Sequence, residues 1–226
     1  MQRVVIPELL DTDSGTAAEI AASLIDLRNI NRRFGGVATT CWMLRKVASE
    51  LGVSSLSLLE VAAGASYVPE ACRQTLGRSG LKLDITLLDR ARSHLQNGTR
   101  AVAADALALP FRDSSFDVVS STLFAHHLGP EELSRFFRET LRVCRRAVLI
   151  NDLIRHPLHL ALVYAGLPLF HSRLTRHDAP ASVRQAYTPG EIRSLLAQSG
   201  AGQVEIHRRY LFRMGVIAWK NQSRPR

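Results

Sequence analysis

Short runs of consecutive apolar residues, set between stretches of helical periodicity, restrict this 226-residue chain more than any other feature. The runs lie at 56–61, 83–88, 101–104, 116–120 and 147–150. A strand with one face in water alternates apolar and polar residues, whereas a strand that is apolar on successive residues must be covered on both faces. That is the signature of a parallel sheet sandwiched by helices. Between the runs, helices are predicted at 68–76, 90–95 and 130–143. The last is opened by Gly129-Pro130-Glu131-Glu132, with proline in the first turn and acids near the positive end of the helix dipole. The pattern predicts a doubly wound α/β domain.

Elements flank this core on both sides. Ala18, Ala21, Ala22, Ile25 and Ile30 recur at helical spacing, with Asp13 or Ser14 as the expected N-cap and Gly35-Gly36 as the stop, and a second helix is expected over 37–51. Residues 1–52 therefore read as an N-terminal helical extension. Toward the C-terminus, a helix is expected over 158–167 and a polar loop over 171–186. Thr188 and Glu191 then form a capping box ahead of a helix over 192–198. Two β-like runs, 203–210 and 213–219, separated by a short turn, predict an antiparallel hairpin at one sheet edge. The main domain is thus expected over 53–220, and 221–226 is a polar tail.

The formal charge of +9 raises nucleic acid or an anionic membrane as partners. Lys46, Lys82 and Lys220 are the only lysines, and the arginines are scattered, with short pairs at Arg32-Arg33, Arg145-Arg146 and Arg208-Arg209. No basic tract with interleaved aromatics appears, which disfavours nucleic acid and leaves peripheral membrane contact open. Cys41, Cys72 and Cys144 are far apart in sequence and form no Cys-x-x-Cys pair, which argues against a disulfide framework or a structural zinc site and fits a reducing cytoplasm. The longest apolar candidate, 158–170, is broken by His159, Gly166 and Pro168 and falls short of the roughly 18 residues that span a bilayer.

In an open parallel sheet, ligands bind beyond the carboxyl ends of the strands. The first strand ends in Glu60-Val61-Ala62-Ala63-Gly64-Ala65-Ser66, where small side chains let backbone amides approach a ligand at a helix N-terminus. The second ends at Asp89, an acid able to accept both hydroxyl protons of a ribose. The third ends in Asp105-Ala106, offering an acceptor for an exocyclic amine beside the apolar stretch 107–111. The fourth runs through Ser120-Ser121 into His126-His127.

This ordered set resembles the class I S-adenosylmethionine-dependent methyltransferases, above all the small-molecule branch that includes ubiquinone and menaquinone C-methyltransferases and natural-product O-methyltransferases. The resemblance covers roughly 56–150, more weakly 188–219. It implies a Rossmann-like, mostly parallel seven-stranded sheet and S-adenosyl-L-methionine as cofactor. It also implies that Glu60 organises the loop, Ala62 and Gly64 approach the methionine part, Asp89 holds the ribose, Asp105 and Ala106 meet the adenine, and Ser121 lines the cofactor. The acceptor is then a small, partly apolar molecule, phenolic or quinone-like, covered by an insertion at about 153–187. Family members carry an acid followed by Gly-x-Gly-x-Gly, whereas Ala62, Gly64 and Ser66 stand at those three positions here, so a non-catalytic cofactor-binding or interaction protein is the alternative.

His126 and His127 lie where the transferred methyl should point and are the candidate general bases. No metal site is expected, since His156, His159, His171 and His177 have no carboxylate or cysteine at a recognisable spacing. An RNA methyltransferase is a further alternative. Amino-directed nucleic-acid enzymes of this fold carry an Asn- or Asp-Pro-Pro-aromatic run after the fourth strand, and Ser120-Ser121-Thr122-Leu123 stands there instead.

Overall fold

A computed structural model describes residues 1–12, 14–90 and 100–221. Its sheet has seven strands: β1 (Ser55–Val61), β2 (Lys82–Asp89), β3 (Arg100–Ala103), β4 (Phe116–Thr122), β5 (Cys144–Leu153), β6 (Ala201–Arg209) and β7 (Arg213–Lys220). The spatial order is β3-β2-β1-β4-β5-β7-β6. β3, β2, β1, β4 and β5 are parallel, while β7 runs antiparallel to both β5 and β6. The expected hairpin is therefore present and β6 is the edge. The order reverses between β1 and β4, which sets the ligand crevice at the carboxyl ends of these central strands.

Consecutive apolar residues in the strands feed two cores, as the sequence pattern requires. Leu59, Val61, Val119, Val148 and Ile150 face one layer, where Phe136 and Phe137 of α4 (Pro130–Val143) and Ile192 and Leu196 of α7 (Pro189–Gln198) are wholly buried. Their neighbours Leu58, Val118, Ala147 and Leu149 face the other, against Met43, Leu44 and Val47 of α2 (Gly36–Leu51) and Cys72 and Leu76 of α3 (Tyr67–Gly77). In this second layer the Cys41 and Cys72 sulfurs, far apart in sequence, come within 3.1 Å as free thiols.

Two expectations are corrected. The first helix, α1 (Ala17–Arg33), is capped by Thr16 rather than by Ser14. Thr16 Oγ1 accepts the Glu19 amide at 3.3 Å, and the Glu19 carboxylate accepts the Thr16 amide at 2.9 Å. The other candidate cap, Asp13, lies outside the described residues, as do nearly all of the predicted helix at 90–95 and all but the first residue of the tail.

The second correction concerns the expected polar loop at 171–186, which is a helix, α6 (Arg173–Gln185), with Pro180 inside it. An interior proline normally costs about 3 kcal/mol. Tertiary contacts override it: Leu174, Ala181 and Val183 are buried, and buried Asp26 of α1 accepts the backbone amides of His171 and Ser172 at the helix entrance.

Between β5 and α6 lies α5 (Pro157–Gly166), an apolar helix with no buried residue. No helix among the described residues is long and apolar enough to cross a membrane. The N-terminal segment forms a strap across α6. Leu9 and Leu10 donate their amides to the Asp178 carboxylate at 2.8 and 3.1 Å, and Arg3 reaches the carbonyls of Gln185, His126 and Leu128.

Candidate functional site

The loop after β1 is built from backbone conformation. Ala62, Gly64 and Ser66 all adopt left-handed geometry, with φ of 55°, 48° and 55°. These are the positions where the resemblance places glycines, so the turn keeps the glycine conformation with two non-glycine residues in it, at a cost of roughly 1–2 kcal/mol each. The path is pinned from three sides. The Ala63 amide donates to the Leu88 carbonyl at 3.1 Å, Ser66 N–H donates to the Ala63 carbonyl at 2.8 Å, and the Gly64 amide donates to Asp89 Oδ2 at 2.8 Å. A side-chain carbon added at Gly64 would meet nothing within 4 Å, so its surface opens into space at the mouth of the crevice. α3 starts directly behind, with Ser66 as its N-cap residue and no side-chain cap bond.

Beneath the loop, Glu60 is 1% exposed. It sits opposite Ser120 in the β1–β4 register, and the Ser120 hydroxyl donates to its carboxylate. Burial outweighs this donor and pushes the Glu60 carboxyl up to about 7.

The neighbouring strand ends extend the same rim. Asp89 closes β2 with its backbone carbonyl accepting the Ala104 amide from beyond β3 at 3.1 Å. Asp105 is exposed and accepts the Leu107 amide at 2.8 Å, a local turn that buries Ala106 beside it. Ser121, near the end of β4, is 2% exposed, and its hydroxyl has no hydrogen-bond partner among the described residues. The next residue but one, Leu123, is again left-handed at φ 55°. Such strain in a bulky residue is tolerated only where the surroundings over-determine the turn, and it collects at functional sites. Here the Leu123 amide is held by the Asn151 carbonyl at 2.9 Å.

His126 and His127 occupy a 3-10 turn immediately after this point, but neither is a free imidazole. His126 is 2% exposed. Its Nδ1 is 2.7 Å from Asp152 Oδ1, its backbone amide donates to Asp152 Oδ2, and its Nε2 lies 3.5 Å from Glu8 Oε1 of the strap. Burial opposes a charge on this ring, yet the Asp152 and Glu8 carboxylates prevail and push it up to about 10. His127 Nδ1 is 2.7 Å from Asp11 Oδ2. The two rings lie against each other, centroids 4.2 Å apart.

Asp152, Glu8 and Asp11 are absent from the sequence expectations. Asp152 follows the apolar run of β5 just as Asp89 follows that of β2, so the same acid-after-strand signal identifies it. Nothing local marks Glu8 or Asp11.

The four histidines weighed for a metal in the sequence do not form one cluster. His156 and His159 both stack on Phe212, while His171 and His177 pair with Asp26 and Asp178. Asp117 faces away from the rim, at the start of β4, where it accepts from Ser57 and Arg145. Phe34, just past α1, packs edge-on against Tyr210 in the β6–β7 turn.

Against known proteins, residues 59–150 match the family described as a methyltransferase domain. A phthiotriol/phenolphthiotriol dimycocerosates methyltransferase from Mycobacterium ulcerans (strain Agy99) is 35% identical over 113 residues, covering 46% of this chain and 39% of that protein. The chain thus spans well under half of that relative. Among solved structures, the plantazolicin methyltransferase BpumL in complex with SAH superposes with a TM-score of 0.68 at 14% identity over 95% of both chains. Magnesium protoporphyrin IX methyltransferase from Synechocystis PCC 6803 with bound SAM gives 0.54 at 11% identity, over 86% of this chain and 84% of that one. At such identities the superpositions speak for the fold, which is the seven-stranded arrangement found here. The strand ends from β1 to β5 all fall in or beside the matched segment, so the likeness to a methyltransferase domain covers the rim described above.

Proposed function

We propose that the chain transfers a methyl group from S-adenosyl-L-methionine to a small, partly apolar acceptor, with residues 53–220 as the working domain and about 153–187 as the part that covers the acceptor. The observation that carries this reading is the loop: Ala62, Gly64 and Ser66 all take a left-handed path, two of them at a conformational cost, and Asp89 clamps its central amide at 2.8 Å. The residues fit the cofactor. Among the described residues Gly64 presents open space and the buried Ser121 hydroxyl has no partner, and acids stand at or just past the ends of β2 and β3.

In this reading Asp89 accepts the ribose hydroxyls, Asp105 and Ala106 meet the adenine, and Glu60, Ala62 and Gly64 shape the backbone against the methionine end. The bound cofactor supplies an activated methyl on a sulfonium, so the protein's task is alignment and exclusion of water. Ser121 and the His126-His127 turn face the reaction from β4. His126 already holds a proton between two carboxylates and is not a neutral-pH base in this state. The pair acts on the acceptor as one charged cluster together with Glu8, Asp11 and Asp152.

An apolar acceptor suits the insertion. α5 buries nothing, Leu158, Leu162 and Tyr164 on it and Leu169 just after it are exposed, and its His159 ring stacks on Phe212 in the β6–β7 turn. The relative named for phenolphthiotriol dimycocerosates is in keeping with this.

Calorimetric titration with S-adenosylmethionine and S-adenosylhomocysteine tests the reading. The unaltered protein binds both, and Asp89→Ala weakens binding on the order of a hundredfold through loss of charge-assisted hydrogen bonds. Absence of binding by the unaltered protein overturns the proposal. Binding without methyl transfer to any member of a phenol and quinone panel turns it toward a non-catalytic binder.

A further inference from the structure

The group formed by Glu8, His126 and His127 has the donor set and the surroundings of a metal centre. Their ligand atoms all lie within 4.8 Å of one another. Glu8 Oε1 and His126 Nε2 are 3.5 Å apart, too long for a good hydrogen bond. It is close to the separation of about 3.3 Å that two donors take around one tetrahedral cation with bonds near 2.0–2.1 Å. Glu8 is itself positioned, since its Oε1 accepts from the Ser182 hydroxyl and the Gln185 amide at 2.6 Å each, and Oε2 has no partner among the described residues.

The outer contacts strengthen the case. Metal-bound histidines give their second ring nitrogen to a carboxylate, which fixes the tautomer and raises the basicity of the ligating atom. Both histidines here do so, His126 to Asp152 and His127 to Asp11, each at 2.7 Å. That leaves Nε2 as the second nitrogen of each ring, and His126 Nε2 is the one that lies 3.5 Å from Glu8.

Charge points the same way. Three carboxylates face two imidazoles in a corner where Glu8 and Asp152 are 9% and 1% exposed. The arginines packed nearby do not cancel these carboxylates by direct pairing: Arg3 donates to backbone carbonyls of the turn, and Arg213 binds Asn151 and the Phe34 carbonyl.

We infer that Glu8, His126 and His127 bind a divalent cation of the zinc class, with Asp152 and Asp11 orienting the two imidazoles. Two nitrogens and one carboxylate oxygen suit such an ion and leave a coordination position open. Resting on the proposed methyl transfer, that position takes an acceptor oxygen. The cation lowers the pKa of a bound hydroxyl, whose proton leaves to solvent, and the resulting oxyanion uses a lone pair to form the new C–O bond as the methyl–sulfur bond breaks with its electrons remaining on sulfur. The centre joins the N-terminal strap to the β4 end, so the strap is part of the site and not only an extension.

The test uses full-length, chelator-stripped protein titrated with zinc chloride by calorimetry, and with cobalt(II) read by its visible absorption. One zinc per chain is expected, along with the intense cobalt bands of a low-coordinate nitrogen and oxygen site. Glu8→Gln and His127→Ala each lose at least tenfold in affinity while melting as folded proteins, and Asp11→Asn loses 10–100-fold. Failure of the unaltered protein to bind zinc stoichiometrically, or equal binding by Glu8→Gln and His127→Ala, overturns the inference. S-adenosylmethionine binding is measured on the same stripped sample. Zinc bound at these residues without cofactor binding refutes the methyltransferase reading and leaves the centre standing, whereas cofactor binding without zinc does the reverse.

Discussion

The two sides of the crevice are built by opposite means. At the end of β1, the turn from Ala62 to Ser66 is short, uncharged and made almost wholly of backbone, with left-handed residues pinned by neighbouring amides and carbonyls and by Asp89. On the other side, the His126-His127 corner is made of side-chain charge delivered from four separate stretches, the strap with Glu8, the following turn with Asp11, the β4 exit and Asp152 on β5. Strain stored in a backbone is local and survives the loss of any one neighbour. A buried charge cluster is collective, and removing one partner leaves another charge stranded. The first should therefore tolerate substitution with small effects, and the second should not.

The largest expected effect tests the collective side. Asp152→Ala removes the principal counter-charge of a buried imidazolium and two backbone hydrogen-bond acceptor contacts, to His126 and Leu153. The expected loss is about 3–5 kcal/mol in urea unfolding at neutral pH. Asp152→Asn, which keeps the shape, separates loss of charge from loss of packing and should retain a good part of that penalty. A cost for both below about 1 kcal/mol would mean that the corner is not held by charge, and the contrast with the loop would disappear.

The same division explains what the sequence disclosed. Strand positions, α4 with its Pro130 start, the Thr188–Glu191 capping box and the hairpin are all written in residues a few places apart, and they appear in the structure with ends shifted by a few residues at most. The loop residues and Asp89 stand out as candidates for the same reason, since each follows an apolar run directly. The strap was not legible. Glu8 meets residues 118 positions away only because Asp178 anchors Leu9 and Leu10, and α6, which presents Asp178, is masked in sequence by Pro180 and by its polar face. The place of His126 after β4 marks it as a candidate base, but its charge state depends on Asp152 and Glu8, which periodicity does not connect to it.

Between the two regions stands Glu60, buried under the loop yet ionisable, and its effect is read through pH. Its carboxyl is raised from 4.5 to about 7, so the folded state holds this proton more tightly than the unfolded chain does. The stability it contributes is fully present below 4.5 and is lost as pH rises through about 7. The difference in unfolding free energy between the unaltered protein and Glu60→Gln should therefore shift against the unaltered protein by about 3 kcal/mol across that window. A flat difference would show that water or a cation reaches the carboxylate, placing Glu60 with the charged corner instead of with the backbone loop.

The smallest expected effect is the sharpest probe of the loop. Ala62→Gly and Ser66→Gly relieve a left-handed L-residue worth roughly 1–2 kcal/mol but give back part of it through the greater freedom of glycine in the unfolded chain, leaving a gain of about 0.5–1 kcal/mol each. Thermal unfolding should show a small rise for each and a nearly additive one for the pair. Gly64→Ala runs the other way. Its φ is 48°, so the loss in stability should be about 1 kcal/mol from conformation alone, because the added carbon meets no atom of the described residues within 4 Å. If that open space receives the cofactor, the same carbon collides with it, and affinity for S-adenosylhomocysteine falls by much more than the tenfold that 1.4 kcal/mol represents. A drop in affinity no larger than the drop in stability would mean that the loop is strained for reasons of its own and that ligand does not approach the Gly64 backbone.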